Sequence, residues 1–92
     1  PDNCETLDLI VGQTDYFSVD FNRYLLEGNT IDSYTIDDGQ GVEVIESTES
    51  EGFINFEAKG LAVGFAPIKI TVTSTPSGRV IPETINFNVT ES

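Results

Sequence analysis

The sequence predicts an all-β domain built as a two-layer sandwich. Three observations carry this. Apolar and polar residues alternate in short runs, most clearly in the last third: Ile68, Ile70 and Val72 against Lys69, Thr71 and Thr73, then Ile85, Phe87 and Val89 against Asn86, Asn88 and Thr90. Successive side chains of a strand point to opposite faces, so each run is a strand with one apolar side. Turn signals recur at intervals of about 8–12 residues, as in sandwiches. The composition, rich in Gly, Thr, Val, Ile and Phe and without Met, favours strands over helices. The two C-terminal runs, joined by Thr75-Pro76-Ser77-Gly78, make an antiparallel pair whose apolar face needs a cover. The rest of the chain must supply it.

The elements follow in order. Residues 1–5 read as a flexible or partner-bound tail. Leu7 to Val11 forms a first strand with Leu7, Leu9 and Val11 on one face, and Gly12-Gln13-Thr14 ends it. Tyr16 to Phe21 forms a second, with Phe17, Val19 and Phe21 toward the core. In Asn22 to Glu27 the spacing of Tyr24, Leu25 and Leu26 suits no strand. We expect a single helical turn there, capped by Asn22 and ended by Gly28-Asn29. Ile31 to Ile36 is a strand whose inner set reads as Asp32, Tyr34 and Ile36. Asp37-Asp38-Gly39-Gln40-Gly41 is a turn, and Val42 to Ile45 a strand. Polar, acidic Glu46 to Gly52 reads as a solvated loop. Phe53 to Glu57 alternates again, with either Phe53, Asn55 and Glu57 or Ile54, Phe56 and Ala58 inward. Lys59 to Gly64 is a small-residue connection before the final pair. Pro82 has no N–H to donate and belongs at an edge, a bulge or a strand start. About seven short strands and one short helical turn make an immunoglobulin-like antiparallel β-sandwich. The cysteine and tryptophan pins of antibody domains are absent. The core is therefore expected to centre on Phe17, Val19, Ile70, Val72, Ile85 and Phe87.

A chain of 92 residues is one domain, spanning 1–92. Domains of this size bury about 60–65% of the surface exposed by the unfolded chain, so the stability margin is thin. Pro1 is what removal of an initiator methionine leaves, which reads as an intact gene product, although a cleavage boundary would look the same.

The net charge is −12 and unevenly placed. Residues 1–57 hold fourteen acids and the single base Arg23; residues 58–92 hold Lys59, Lys69 and Arg79 against Glu83 and Glu91. Phosphate recognition needs clustered cations, so nucleic acid is excluded as a partner, and anionic membrane surfaces are disfavoured for the same reason. The acids read as a solubilising surface that also discourages contact between exposed strand edges. No apolar run approaches the roughly 20 residues that cross a membrane. The single cysteine, Cys4, forms no disulfide within the chain, which fits folding in a reducing cytoplasm.

Catalytic chemistry finds little support. With no histidine, imidazole bases and the usual zinc sites are ruled out. Cys4 has no neighbouring cation to lower its thiol pKa. Sixteen acids in 92 residues make carboxylate pairs by chance, and the chain is too small to enclose a sugar cleft around one. Asp32 and Asp37-Asp38-Gly39 are oxygen-rich but lack the spacing of a calcium loop and its later bidentate Glu, so a solvated turn is the better reading. Asn88-Val89-Thr90 matches the glycosylation tripeptide by chance, and Gly39-Gln40-Gly41 lacks the Lys-Ser/Thr of a phosphate loop. We therefore expect no enzyme, no cofactor and no small-molecule substrate.

One ordered set of motifs goes beyond fold class. Tyr16-Phe17-Ser18-Val19-Asp20-Phe21-Asn22-Arg23-Tyr24-Leu25 leads into Gly28-Asn29-Thr30-Ile31-Asp32-Ser33-Tyr34. Gly41-Val42-Glu43-Val44, Lys59-Gly60-Leu61-Ala62-Val63-Gly64 and Ile70-Thr71-Val72-Thr73 follow. Ser77-Gly78-Arg79 and Glu83-Thr84-Ile85-Asn86-Phe87-Asn88-Val89 close the series. Over residues 15 to 90 this order resembles small immunoglobulin-like proteins encoded among the virion genes of tailed bacteriophages. The chain departs from them in its acidity and in lacking a tryptophan at the turn.

The resemblance implies a structural protein of the virion, assembled in the host cytoplasm. Its expected task is capsid decoration or cementing: binding the head surface and stabilising it. The implied partner is the major capsid protein or another virion subunit, with homo-oligomerisation as a further possibility. The alternative is a modular adhesion or spacer domain of a larger bacterial surface or phage tail-fibre protein. Exposed loops and termini carry binding in sandwiches. The candidate contact residues are therefore Asp2, Asn3, Cys4, Leu7 and Leu9 in the N-terminal segment, Gly39 and Gln40 in one turn, and Ser77 and Arg79 in another.

Overall fold

The computed structural model describes residues 6–91. It shows seven strands and one short turn of 3₁₀ helix. The strands are β1 (Thr6–Ile10), β2 (Thr14–Asp20), β3 (Thr30–Asp37), β4 (Val42–Ser50), β5 (Phe53–Gly60), β6 (Gly64–Thr75) and β7 (Val80–Thr90). They form a four-stranded sheet in the order β1-β7-β6-β3 and a three-stranded sheet in the order β2-β5-β4. The two stack into a slab of 44 × 27 × 17 Å. The fold class is the one the alternation predicts, and β6 and β7 are the antiparallel pair at its centre, in register from Gly64 opposite Val89 to Thr73 opposite Val80.

One strand pair is not antiparallel. β1 runs parallel to β7, from Thr6 beside Asn86 to Ile10 beside Thr90. Val11 then bridges Gly60 of the other sheet, so the chain changes layers at Gly12 without a long crossover. Among the described residues β1 borders only Asn86 to Thr90; Pro82 lies outside that span, where a missing N–H interrupts no bond to β1.

Three local expectations are corrected. Glu46 to Gly52 is not a solvated loop: β4 continues to Ser50 and turns back through Glu51 (φ 52°) and Gly52 (φ 87°). Two successive left-handed residues form the tight hairpin whose twist matches its flanking strands. The stretch lacks alternation because β4 is an edge strand, with water available to most of its side chains. Asn22 does not cap the 3₁₀ turn Asn22–Tyr24; the N-cap position is Phe21, without a side-chain bond. Asn22 Nδ2 instead donates to the Glu51 carbonyl. The inner set of β3 includes Ile31 in place of Asp32. A register shift between Ile31 and Ser33 inserts an extra residue, so Ile31, Tyr34 and Ile36 all pack on the core while Asp32 is exposed. β4 has the same device between Val44 and Glu46, which turns Ile45 out to solvent.

The core consists of Phe21, Val42, Ile54, Phe56, Ile68, Ile70, Val72, Ile85, Phe87 and Val89, with Leu9, Ala58, Ala66 and Ile81 around them. Ile70, Val72, Ile85 and Phe87 are buried as expected. Phe17 and Val19 are only half-buried, because β2 is an edge strand, yet both pack against the core. Of the two faces open to β5, Ile54, Phe56 and Ala58 are the inner one. Phe17 meets Phe87 edge-on at 5.0 Å and Phe56 at 5.7 Å, so one aromatic group joins β2, β5 and β7 across the layers.

Candidate docking surfaces

The charge asymmetry of the sequence becomes a spatial one. Lys69 is the one charged residue of β6, and Glu83 the one of β7; these strands form the middle of the four-stranded sheet. The four edge strands carry Asp8 (β1), Asp15 and Asp20 (β2), Asp32 and Asp37 (β3), and Glu43, Glu46 and Glu49 (β4). Acids thus line each edge where another strand could add.

Between two of those edges the sandwich is open along its side. A groove of about 400 Å³ lies between β3 and β4, lined by Tyr34, Ile36, Val44, Ile45 and Ser47 among others. The Tyr34 hydroxyl and Ser47 Oγ, 2.9 Å apart, tie the sheets together within its lining. A smaller hollow of about 80 Å³ sits on the outer face of the three-stranded sheet beside Tyr16, Glu46, Asn55 and Glu57. Among the described residues no group of three His, Cys, Asp or Glu side chains converges as a metal would require. Asp38, from the oxygen-rich turn, turns inward and accepts the Val44 N–H at 3.0 Å.

The loops gather at two poles. At one, the β3–β4 turn, the β5–β6 connection and the Gly12-Gln13 turn meet. The Gly41 carbonyl accepts the N–H of Leu61 at 2.9 Å and that of Ala62 at 3.4 Å, while Gly12 and Gly60 are joined by an N–H···O bond of 2.9 Å. The expected contact residues Gly39 and Gln40 are exposed here. Ser77 and Arg79 lie at the opposite pole, with the 3₁₀ turn and the β4–β5 hairpin. The Ser77 N–H donates to Asn29 Oδ1 at 3.2 Å, its hydroxyl lies 3.0 Å from Ser74 Oγ, and the Arg79 carbonyl accepts the Ser74 N–H at 2.8 Å. Much of that turn's polar capacity therefore holds its own pole together.

The N-terminal candidates divide. Asp2, Asn3 and Cys4 lie outside the described residues. Leu9 is only 4% exposed, and Leu7 is half-buried and packs against the core. Thr6 and Asp8 alternate with them on the outer face, and Asp8 Oδ1 accepts a bond from Asn88 Nδ2.

The surface feature that sequence reading missed is the β5–β6 connection together with the start of β6. Leu61, Val63 and Phe65 are 47, 58 and 77% exposed, a concentration of open apolar side chains within five residues. A glycine-bounded run without alternation does not reveal whether its apolar residues face in or out. The available signal was the absence of any charge from Gly60 to Ile68 in a chain this acidic.

No protein-family model matches the chain, and no curated protein matches it by sequence. Solved structures do match its shape. The PKD domain of KIAA 1837 protein aligns over 99% of this chain and 85% of its own, at 21% identity and a TM-score of 0.58. A cysteine protease inhibitor of Entamoeba histolytica, EhICP2, aligns over 94% of this chain and 85% of its own, at 15% identity and a TM-score of 0.59. An endo-fucoidan hydrolase of glycoside hydrolase family 107 aligns over 95% of this chain at 12% identity and a TM-score of 0.59, but over only 13% of its own length. At these identities the likeness is one of fold. The chain has the fold of a small immunoglobulin-like β-sandwich, a fold it shares with that PKD domain.

Proposed function

We propose that this domain is a non-catalytic structural protein of a bacteriophage virion, a decoration protein that binds the head surface and stabilises it. The observation that supports this reading is the ordered motif set from Tyr16 to Val89 and its resemblance to virion immunoglobulin-like proteins. The surface is consistent with that role: shallow hollows, acid-lined edges and an exposed apolar pole suit contact with a protein better than chemistry on a small molecule. The mechanism is passive. A protein that binds only the assembled shell shifts the equilibrium toward that shell, in proportion to its occupancy. The protein belongs, on this reading, to the virion and meets its partner in the host cytoplasm during assembly. The test compares particles made with and without the gene. The chain is expected in many copies on the head lattice, and particles lacking it should release DNA at lower temperature. Its absence from purified particles refutes the reading.

The direction of the terminal strands favours a second reading. Because β1 and β7 are parallel, flanking chain would leave the slab in opposite directions, as a spacer in a tail fibre or surface protein requires. Immunoblotting of particles with an antibody to this domain separates the two. A band of 92 residues supports decoration, and a much larger one supports the spacer.

A further inference from the structure

We infer that the outer edge of β7 over residues 82–86 is a strand-addition site, and that its occupant is the chain's own residues 2–5, which continue β1 backwards as a parallel strand. The inference is independent of the virion reading. β7 has 11 residues, and β6 pairs with it from Val80 to Val89. β1 flanks only Asn86 to Thr90, so among the described residues the first half of β7 is paired on one side alone. Each of the four edge strands carries acids, but this open stretch presents only Val80, Pro82 and Thr84 on its outer face. An unpaired edge without a guarding charge needs a cover.

Hydrogen-bond parity defines what this edge offers. The Ser74 N–H donates to the Arg79 carbonyl at 2.8 Å, one rung beyond the Thr73–Val80 pair. Bonded and non-bonded pairs alternate along an antiparallel ladder, so Ile81, Glu83 and Ile85 turn their backbone groups toward β6. Pro82, Thr84 and Asn86 turn theirs outward. The 2.9 Å bond from the Val11 N–H to the Thr90 carbonyl has the same parity on the β1 side. The parallel register, with Thr6 beside Asn86, places residue 5 opposite Ile85 and residue 3 opposite Glu83. In that register the Glu5 carbonyl accepts the Asn86 N–H, and the Glu5 N–H donates to the Thr84 carbonyl. The Asn3 carbonyl accepts the Thr84 N–H, and the Asn3 N–H donates to the Pro82 carbonyl. The next bond would need an N–H on Pro82, which has none, so the ladder ends there.

The register also selects the occupant. Residues 2–5 are already aligned by Thr6, and a segment tethered so closely acts at an effective concentration of millimolar order. A strand from a second copy would bring another net −12 to an acidic protein. Side-chain parity agrees. Asp2 and Cys4 fall on the outer face with Thr6 and Asp8. Asn3 falls beside Glu83, which shares the inner side of β7 with buried Ile81 and Ile85 and is itself half-buried. The Asn3 amide is a donor for that carboxylate, whereas an apolar strand would leave it without one. Leu7, next along the same face, is half-buried, so Glu5 beyond it lies at the rim with its carboxylate in water.

The test uses Cys4, the single thiol of the chain. In the inferred register Thr84 is its direct neighbour, within the Cα separation that a disulfide spans. On mild oxidation Thr84→Cys is expected to form a disulfide within one chain, identified by peptide mass spectrometry. The rate should be at least about tenfold above that of Pro82→Cys or Asn86→Cys, each displaced by two residues along the strand and out of disulfide reach. Amide exchange of the unsubstituted protein gives a second reading that needs no variant. The Thr84 N–H should exchange at least about tenfold more slowly than an open amide. Equal cross-linking at the three positions, or a Thr84 N–H that exchanges at the open rate, overturns the inference and leaves the virion reading untouched. A disulfide that joins two chains in place of one overturns it in favour of a strand from a second copy.

Discussion

The Asn22 side chain occupies the space into which a Cβ on Gly52 would project, and its Nδ2 donates to the neighbouring Glu51 carbonyl at 3.1 Å. The contact joins the 3₁₀ turn to the β4–β5 hairpin, and the Phe21 N–H adds a 2.9 Å bond to the Gly52 carbonyl. Gly52→Ala therefore faces two costs, a left-handed φ of 87° and the loss of the Asn22–Glu51 bond when the methyl group pushes the tip of the Asn22 side chain aside. We expect a loss of about 2–3 kcal/mol in urea denaturation. Gly28 has a similar φ of 82° with open space around it, so Gly28→Ala should show the backbone cost alone, about 1–2 kcal/mol. Equal losses in the two variants would show that the Asn22 contact contributes nothing.

Phe17, Phe56 and Phe87 should differ in how much they hold the sandwich together. Phe87 and Phe56 are buried between the layers, while Phe17 is half-buried at the β2 edge. Phe87→Ala is expected to cost about 3–5 kcal/mol, the range for emptying a buried aromatic site. That is a large share of the 5–15 kcal/mol of a typical domain, so the variant should unfold near ambient temperature. Phe17→Ala should cost clearly less, because water already reaches part of its ring. A thermal melt that ranks Phe17 above Phe87 contradicts this account of the core.

Tyr34 and Ser47 join edge strands of different sheets through a part-buried bond of 2.9 Å. A double-mutant cycle of Tyr34→Phe and Ser47→Ala is expected to give a coupling of about 0.5–1.5 kcal/mol. A coupling near zero would mean that water replaces either hydroxyl without loss and that the seam is held by Ile36 and Val44 alone.

The strands of this protein were legible wherever one face is dry and the other wet. Ile68 to Thr73 and Ile85 to Thr90 declare themselves because burial selects every second residue. β4 hid its second half because an edge strand has water on most sides, and Glu46 to Ser50 show no alternation. The inner face of β3 was misread at Asp32 because a bulge shifts the parity by one, and nothing in Ile31-Asp32-Ser33 marks that insertion. The parallel partnership of β1 and β7 joins residues about eighty positions apart, beyond the reach of local pattern. The turn around Gly39 was recognised as exposed, but its hold on the β5–β6 connection depends on the Gly41–Leu61 bond, which only the fold brings into being.

The distribution of acids leads to a final prediction about solubility. An open strand edge is a template for further strands, and Glu43, Glu46 and Glu49 place three like charges along the β4 edge. Substituting all three by Thr changes the net charge from −12 to −9 and supplies better strand formers. The folded state should lose little beyond the bond that Glu49 Oε2 accepts from the Gly52 N–H, while light scattering at neutral pH should show association absent from wild type. Substituting Glu27, Glu57 and Glu91 by Thr gives the same net charge of −9 without altering an edge strand, since Glu57 lies on central β5 and the other two lie outside the strands. That variant should remain dispersed under the same conditions. If both triple variants associate equally, overall charge keeps this protein monodisperse and the placement of acids on its edges has no part in it.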